Sequence, residues 1–456
     1  MPTRFVIARV GRHLSVFVTV LLLSGCQPAS KGDAPPAEPA NDATDAGDFD
    51  PDAAPETQPQ GPTPELLIEG GRGLWVLAEG SQRVLEDRAK IERLVTEAST
   101  LAATDLFVQV YRGGRAWYDA QLADRGPYDA LLERNGLDTL DLLLERAHAS
   151  GLRVHAWVNV LSLSHNTDAP ILQIVGRDGV LVDRHGRSML DYPNLEVPPP
   201  DGNYYRMGTR GVYLDPGAPG VRERLVATFA ELLARYPGLD GLHLDYIRHP
   251  GALPFVPGSR FGVGLDFGYG AATRERFRHE TGLAGPFLGA DQPDAGHIAY
   301  ANEWDDWRRA QVTALVAEIR SACLALRPGL ILSAAVNSYV DRAYLSLAQD
   351  WKRWLEEGLI DLAIPMVYTL DDRLFGYQVQ HFASAPGRER IWPGIGVWLF
   401  ARHPQAALDQ IGISRSAGAP GDVLFSYDSI VDSPALRAAL VAAASPDADP
   451  VTVETP

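Results

Sequence analysis

Eight short apolar runs, each followed by a stretch with helical spacing, constrain this chain more than any other feature. The runs are Gly73–Leu77, Asp105–Val110, Leu152–Val158, Gly241–Asp245, Leu330–Val336, Leu359–Val367, Ile391–Val397 and Asp422–Tyr427. Most are near-continuous in apolar residues rather than alternating, as parallel strands buried on both faces are. The stretches between them predict helices over Val84–Thr100, Leu137–Ser150, Gly220–Arg235, Trp304–Leu326, Ala343–Glu357, Leu374–Ala383, Gln405–Ser416 and Pro434–Ala444. Gly136 and Gly151 bracket the second helix, Gly358 follows the fifth, and Ser433 before Pro434 reads as an N-cap with proline at the first helical position. Eight strand–helix units predict an α/β chain folded as a (β/α)8 TIM barrel. A doubly wound open sheet is the competing arrangement, but eight repeats without a nucleotide-type glycine loop favour closure.

Two connections are long: Leu161–Thr209 after the third strand, and Arg248–Ala301 after the fourth, with room for an extra short helix. Loops of that length in a compact domain are usually functional, and in a barrel the loops after the strands build the active face.

The ends of the chain have a different character. Arg4, Arg9 and Arg12 precede a short apolar run, Leu14–Leu23, which has the size of a signal-peptide core and is too short for a comfortable membrane span. It ends in Leu23-Ser24-Gly25-Cys26, which resembles the bacterial lipobox, so Cys26 is the expected lipidation site after cleavage of residues 1–25. Gln27 is not the aspartate that often retains lipoproteins at the inner membrane. An exported protein, anchored in the outer membrane and facing the periplasm, is the expectation. Residues 26–65 are rich in Pro, Ala, Asp and Glu and read as a disordered tether; 66–444 is the barrel, and 445–456 a disordered tail. The only other cysteine, Cys323, sits in a helical pattern and reads as a small buried hydrophobe, so no disulfide framework is expected.

Hydrophobic residues make up 46% of the 456 positions, enough for a sizeable core, and the formal net charge is −17. A surface that acidic repels phosphate backbones and argues against a nucleic-acid partner.

Barrel chemistry sits at the C-terminal ends of the strands. The segment Asp240–Pro250 carries the strongest signal. His243 and Asp245 are two apart and face one side of a strand, with Asp245 at its end, where a carboxylate can meet a ligand. Arg248 follows within reach of that carboxylate. His243 reads as a ligand contact, as a support for Asp245, or as a buried packing residue. Other strand ends supply aromatic rings and amides: Trp75, Gln109, Arg112, Trp157, Asn159, Asn337, Tyr368, Trp398 and Tyr427. Such rings stack on sugar faces, while amides and carboxylates pair with hydroxyls. Glycoside hydrolysis needs a second carboxylate. Asp372 is the leading candidate, ahead of Glu79, Asp341, Asp371 and Asp428. No cysteine pair, H-E-x-x-H pattern or G-x-S-x-G elbow is present, and His243 with Asp245 lacks an evident third ligand, so no metal or cofactor is expected.

At these residues the chain resembles the bacterial glycoside-hydrolase-like family 10 proteins, from about Arg72 to Tyr427. The resemblance rests on Arg72-Gly73-Leu74-Trp75-Val76, Phe107-Val108-Gln109-Val110, His155-Ala156-Trp157-Val158-Asn159, Tyr213-Leu214-Asp215-Pro216-Gly217, Asp240–Pro250 and Pro365-Met366-Val367-Tyr368. It implies hydrolysis of glycosidic bonds, in some lipoprotein members those of peptidoglycan strands stripped of their peptides. Many members carry two adjacent aspartates after the fourth strand, where this chain has Asp245-Tyr246. The acid of the chitinase pattern falls on Ile247, which argues against chitinase-like acid catalysis from this strand. The expected function is a glycosidase on a cell-envelope polysaccharide, with Asp245 as nucleophile or charge-stabilising carboxylate and Asp372 as acid. A non-catalytic glycan-binding lipoprotein and a metal-dependent carbohydrate deacetylase are the competing readings.

Overall fold

The apolar runs fold as eight parallel strands that close on themselves in the computed structural model, which describes residues 70–184, 186–192, 211–251, 265–287 and 298–444. They are β1 (Gly71–Val76), β2 (Asp105–Arg112), β3 (Arg153–Asn159), β4 (Gly241–Asp245), β5 (Ile331–Asn337), β6 (Leu362–Val367), β7 (Gly394–Gly396) and β8 (Gly421–Phe425). Each pairs with its neighbours in chain order, and β1 pairs with both β2 and β8, which closes the ring. Trp75 lies opposite Phe425 on one side and Phe107 on the other. The expected signal peptide, tether and C-terminal tail, and parts of the two long loops, lie outside the described residues.

The outer helices follow the expected order: α1 (Arg88–Thr100), α2 (Thr139–Ala149), α3 (Val221–Arg235), α4 (Ala301–Leu326), α5 (Trp351–Glu356), α6 (Asp372–Ala383), α7 (Pro404–Ser416) and α8 (Pro434–Ala444). Their starts are chemical. Asp87, Asp138 and Asp371 cap α1, α2 and α6 by accepting backbone N–H groups, and Ser433 accepts from Leu436 at α8. Two expectations change. Gly136, in the left-handed region at φ 66°, ends an additional helix, Gly126–Asn135, rather than opening α2. The expected helix Ala343–Glu357 is two, Val340–Leu347 and α5, broken where Ala348 turns left-handed at φ 54°. The loop after β4 does hold a helix, Ala271–Thr281. Among the described residues no helix is long and apolar enough to cross a membrane.

Inside the ring, large rings face glycines. A Cβ on Gly73 would lie 2.6 Å from Phe107, one on Gly394 2.8 Å from Trp75, and one on Gly421 2.5 Å from Trp392. The aromatic side chains therefore fill the centre because glycines on nearby strands leave room for them. At the N-terminal end, polar groups tie the strands together. The Arg72 guanidinium donates to both oxygens of Asp422 at 2.8 and 3.0 Å, and Asp105 accepts from His155 and Arg153, each at 2.8 Å. His155 is thus a floor residue, stacked on Phe107 with centroids 4.6 Å apart.

The long loops are anchored by buried groups. Asp215 accepts from Thr273 Oγ1 at 2.7 Å and from the Gly217 amide at 2.8 Å, joining the loop after β3 to helix Ala271–Thr281. Arg308 of α4, fully buried, donates to the Leu265 carbonyl at 2.9 Å, and its guanidinium lies 4.5 Å from the Tyr269 ring centre. Cys323 is buried in α4, and burial pushes its thiol up to about 12.

Candidate functional site

The strands end around a cavity of about 330 Å³ at the C-terminal mouth of the barrel. Eight residues expected from the sequence line it: Trp75 from β1, Gln109 and Arg112 from β2, Trp157 and Asn159 from β3, Asp245 from β4, and Arg248 and Tyr368 from the loops that follow β4 and β6. Leu77, Glu79, Tyr246, Ala335, Met366 and Phe425 complete the wall. A register shift between Gln109 and Tyr111 against β3 marks a bulge in β2 at the mouth. Bulges of this kind re-aim side chains beside active sites.

Asp245 is 6% exposed. Its Oδ2 accepts from the Trp157 indole N–H at 3.3 Å, and its Oδ1 from the Tyr246 amide at 2.6 Å and from Arg248 Nη1 at 3.4 Å. Burial disfavours the charged form and raises its proton affinity above the ordinary carboxylate range; Arg248 and the Tyr246 amide oppose this without cancelling it. Tyr246 lies in the left-handed region at φ 53°, a conformation that costs a tyrosine of the order of 1–3 kcal/mol. Backbone of this kind tends to be kept where it positions something. The Arg248 guanidinium sits over the Tyr246 ring, 4.7 Å from its centre, so one cation braces both residues.

Glu79, from the loop after β1, supplies the second carboxylate of the wall. Its Oε2 accepts from Arg112 Nη1 at 3.0 Å and its Oε1 from Arg115 Nη1 at 3.2 Å. The sequence offered it as one of several strand-end carboxylates, with no local pattern to raise it above Asp372.

Five expected site residues stand elsewhere. Asp372 opens α6 on the exposed side, and its Oδ1 accepts from Gln410 of α7 at 3.0 Å. The helix start turns it towards a neighbouring helix and away from the cavity wall, so the structure withdraws it as the partner of Asp245. Asn337 is used in the turn after β5, accepting the Tyr339 amide at 3.0 Å. Tyr427 is buried at the start of helix Tyr427–Asp432, because β8 ends at Phe425, two residues earlier than expected. Trp398 is exposed outside the cavity lining, edge-on to Tyr368 at 4.7 Å and to Phe425 at 5.4 Å. His243 is wholly buried beneath the cavity. Its Nε2 accepts the Trp75 indole N–H at 3.0 Å, and its Nδ1 lies 2.9 Å from Ser333 Oγ. It therefore positions an aromatic wall residue rather than touching a ligand. Asp428 is also structural: its carboxylate accepts the amides of Gln82 and Leu77 and pins the loop after β1.

The cavity is thus walled by five rings, Trp75, Trp157, Tyr246, Tyr368 and Phe425, with two carboxylates and two side-chain amides among them. Rings that offer flat apolar faces beside hydrogen-bonding groups suit a sugar. The glycosyl hydrolase-like 10 family model matches residues 71–391, a span that contains six of the eight barrel strands and most of this wall. The chain belongs to that family. As a glycosyl hydrolase-like 10 protein it has curated relatives named glycosyl hydrolase. DigH of Escherichia coli K12 is 26% identical over 307 residues, 63% of this chain and 59% of DigH. YngK of Bacillus subtilis is 24% identical over 311 residues, 62% of this chain and 50% of YngK. The aligned part thus spans only half to three-fifths of the length of these relatives. Among solved structures, the PgaB (BpsB) glycoside hydrolase domain of Bordetella bronchiseptica superposes with a TM-score of 0.58 at 14% identity, covering 83% of this chain and 100% of that one. The β-amylase catalytic domain of Paenibacillus polymyxa gives 0.51 at 12%, covering 83% and 99%. Both share the barrel architecture. Among the described residues, no group of three or more His, Cys, Asp or Glu side chains is placed to hold a metal ion.

Proposed function

We propose that this glycosyl hydrolase-like 10 protein cuts glycosidic bonds in a cell-envelope glycan, with peptide-free peptidoglycan strands as the substrate. The observation that carries the reading is the pairing of Asp245 and Glu79 on one ring-walled cavity at the C-terminal mouth. Asp245 holds its proton more tightly than an ordinary carboxylic acid and is the group to deliver it to the departing glycosidic oxygen. Glu79, an acceptor for two guanidinium groups, is the carboxylate that serves the sugar carbon. It receives the proton of the water whose hydroxyl replaces the leaving oxygen. Tyr246, Tyr368 and Phe425, the part-exposed rings of the wall, stack on sugar faces over the buried Trp75 and Trp157, and Gln109, linked to Asn159 at 3.2 Å, presents amide groups to hydroxyls. Export, and anchoring to the outer membrane through a lipid on Cys26, belong to the same reading.

The test is reducing-end release by the full chain from peptide-free peptidoglycan strands, chitin, starch and xylan. Release from the wall strands that disappears in Asp245→Asn is expected. Release that persists in that variant overturns the assignment.

One observation favours a second reading. Both oxygens of Glu79 are already engaged by Arg112 and Arg115, as a purely structural carboxylate would be. A glycan-binding barrel then accounts for the same wall. It gives saturable strand binding with no reducing ends from any substrate.

A further inference from the structure

Beside the barrel mouth lies a second hollow of about 200 Å³, and Glu79 is the residue that lines both. Its walls come from the loop after β1, the 3-10 turn Val84–Glu86, the short strand Arg115–Ala116, Trp117 and the helix Gly126–Asn135. Arg83, Arg115 and Arg134 line it, and Arg112 stands across Glu79 on the side of the first cavity.

The charge balance there opposes that of the whole chain. Three arginines, Arg83, Arg115 and Arg134, meet two carboxylates, Glu79 and Glu86, on the lining of the hollow; Lys90 and Arg112 pair with those carboxylates from outside it, and Asp124 with Arg115. Glu86 is consumed by Lys90 and Arg134, whose hydrogen bonds pull it down to about 2. Glu79 is shared by Arg112 and Arg115, and Asp124 lies 3.6 Å from Arg115. Arg83 remains exposed with no carboxylate partner among the described residues. In a protein of net charge −17, a concave lining with one more cation than carboxylates is a departure that a solvated surface does not require. The Arg115 guanidinium also lies 5.5 Å from the Trp117 ring centre, which places a ring and a cation on the same wall.

We propose that this hollow is a subsite for a sugar unit bearing a free carboxylate, next to the unit held at Asp245. The inference rests on the glycan reading above and narrows it: the substrate is an anionic chain, threaded past Glu79 from the aromatic cavity into the arginine-lined one. The guanidinium fork matches a carboxylate in plane and spacing, and Arg83 is the fork left unpaired. A peptide-free wall strand meets the requirement because removal of the peptide leaves an acid group on alternate sugars. Chitin and starch do not.

The experiment uses the full chain and one preparation of peptide-free peptidoglycan strands, half of it with its carboxyl groups reduced to alcohols. Binding is read by tryptophan fluorescence, alongside reducing-end release. Intact strands are expected to bind about tenfold or more tightly than reduced ones, with the gap shrinking as salt is added. Arg83→Gln, a change at an exposed side chain, is expected to narrow the gap mainly by weakening the intact strand. Equal binding of the two preparations, or a gap unaltered by Arg83→Gln, overturns the subsite. Failure of release with the binding gap preserved overturns only the hydrolase reading, so the two proposals fail separately.

Discussion

The indole of Trp75 donates to Nε2 of His243 at 3.0 Å, and this bond decides where the imidazole proton resides. An indole N–H can only donate, so Nε2 must be bare and Nδ1 carries the hydrogen that points to Ser333 Oγ. Burial, with a smaller contribution from nearby His155, pushes the proton affinity of His243 well below its ordinary value. The unfolded chain therefore takes up a proton near pH 6.5 that the folded chain refuses. Stability from the neutral ring is full above that pH and is lost as pH falls below it, by about 1.4 kcal/mol per pH unit. His249, buried and held down to about 3, adds the same sign. Denaturant melts between pH 7 and pH 5 check this: His243→Gln should flatten the slope, and an unchanged slope would count against it.

Asp245 and Arg248 make a prediction about rate. Loss of activity with rising pH should follow deprotonation of Asp245, above the ordinary carboxylate range. Arg248 lowers the proton affinity of Asp245, so Arg248→Gln should move the alkaline limb of the kcat profile to higher pH. A limb that moves down, or stays in place, removes Asp245 as the acid.

Asp372 and Glu79 exchange the ranks that their sequence positions suggested. Asp245→Asn and Glu79→Gln should each lower turnover by about 10²-fold or more. Asp372→Asn, at an exposed group bonded to Gln410, should stay within about twofold. Initial rates on the wall strands decide between them.

The Arg72–Asp422 pair is buried, with side chains 5% and 6% exposed. Asp422→Ala strands a guanidinium inside the barrel and should cost about 3–5 kcal/mol. Replacing both partners, Arg72→Met with Asp422→Leu, should cost less than the single change. Equal losses in thermal melts would show that the charge itself contributes little.

Much of this barrel was legible in the chain, for a physical reason. Parallel strands buried on both faces must be largely apolar, and runs such as Leu330–Val336 advertise that directly. The two-residue spacing of His243 and Asp245 likewise placed both on the inner face, though only Asp245 reaches the cavity. What failed was the exit of the chain from each strand. Asp372 and Tyr427 lie only a few residues beyond strand ends, but both already belong to helices, where direction changes by about 100° per residue. Glu79 was visible as a carboxylate and invisible as a wall residue. Its placement depends on Arg112 and Arg115, which reach it from the end of β2 and from the short strand Arg115–Ala116 paired with it.

The glycines that face rings inside the barrel bear on how such a chain can change over generations. Gly73 is open to a larger residue only once Phe107 has shrunk, and Gly394 only once Trp75 has. Each partner, shrunk alone, leaves a hole. Either first step is therefore harmful and the second is a rescue, so these positions drift as couples or stay where they are. A survey that scored them one at a time would record rigidity at each and miss that the unit of inheritance is the pair.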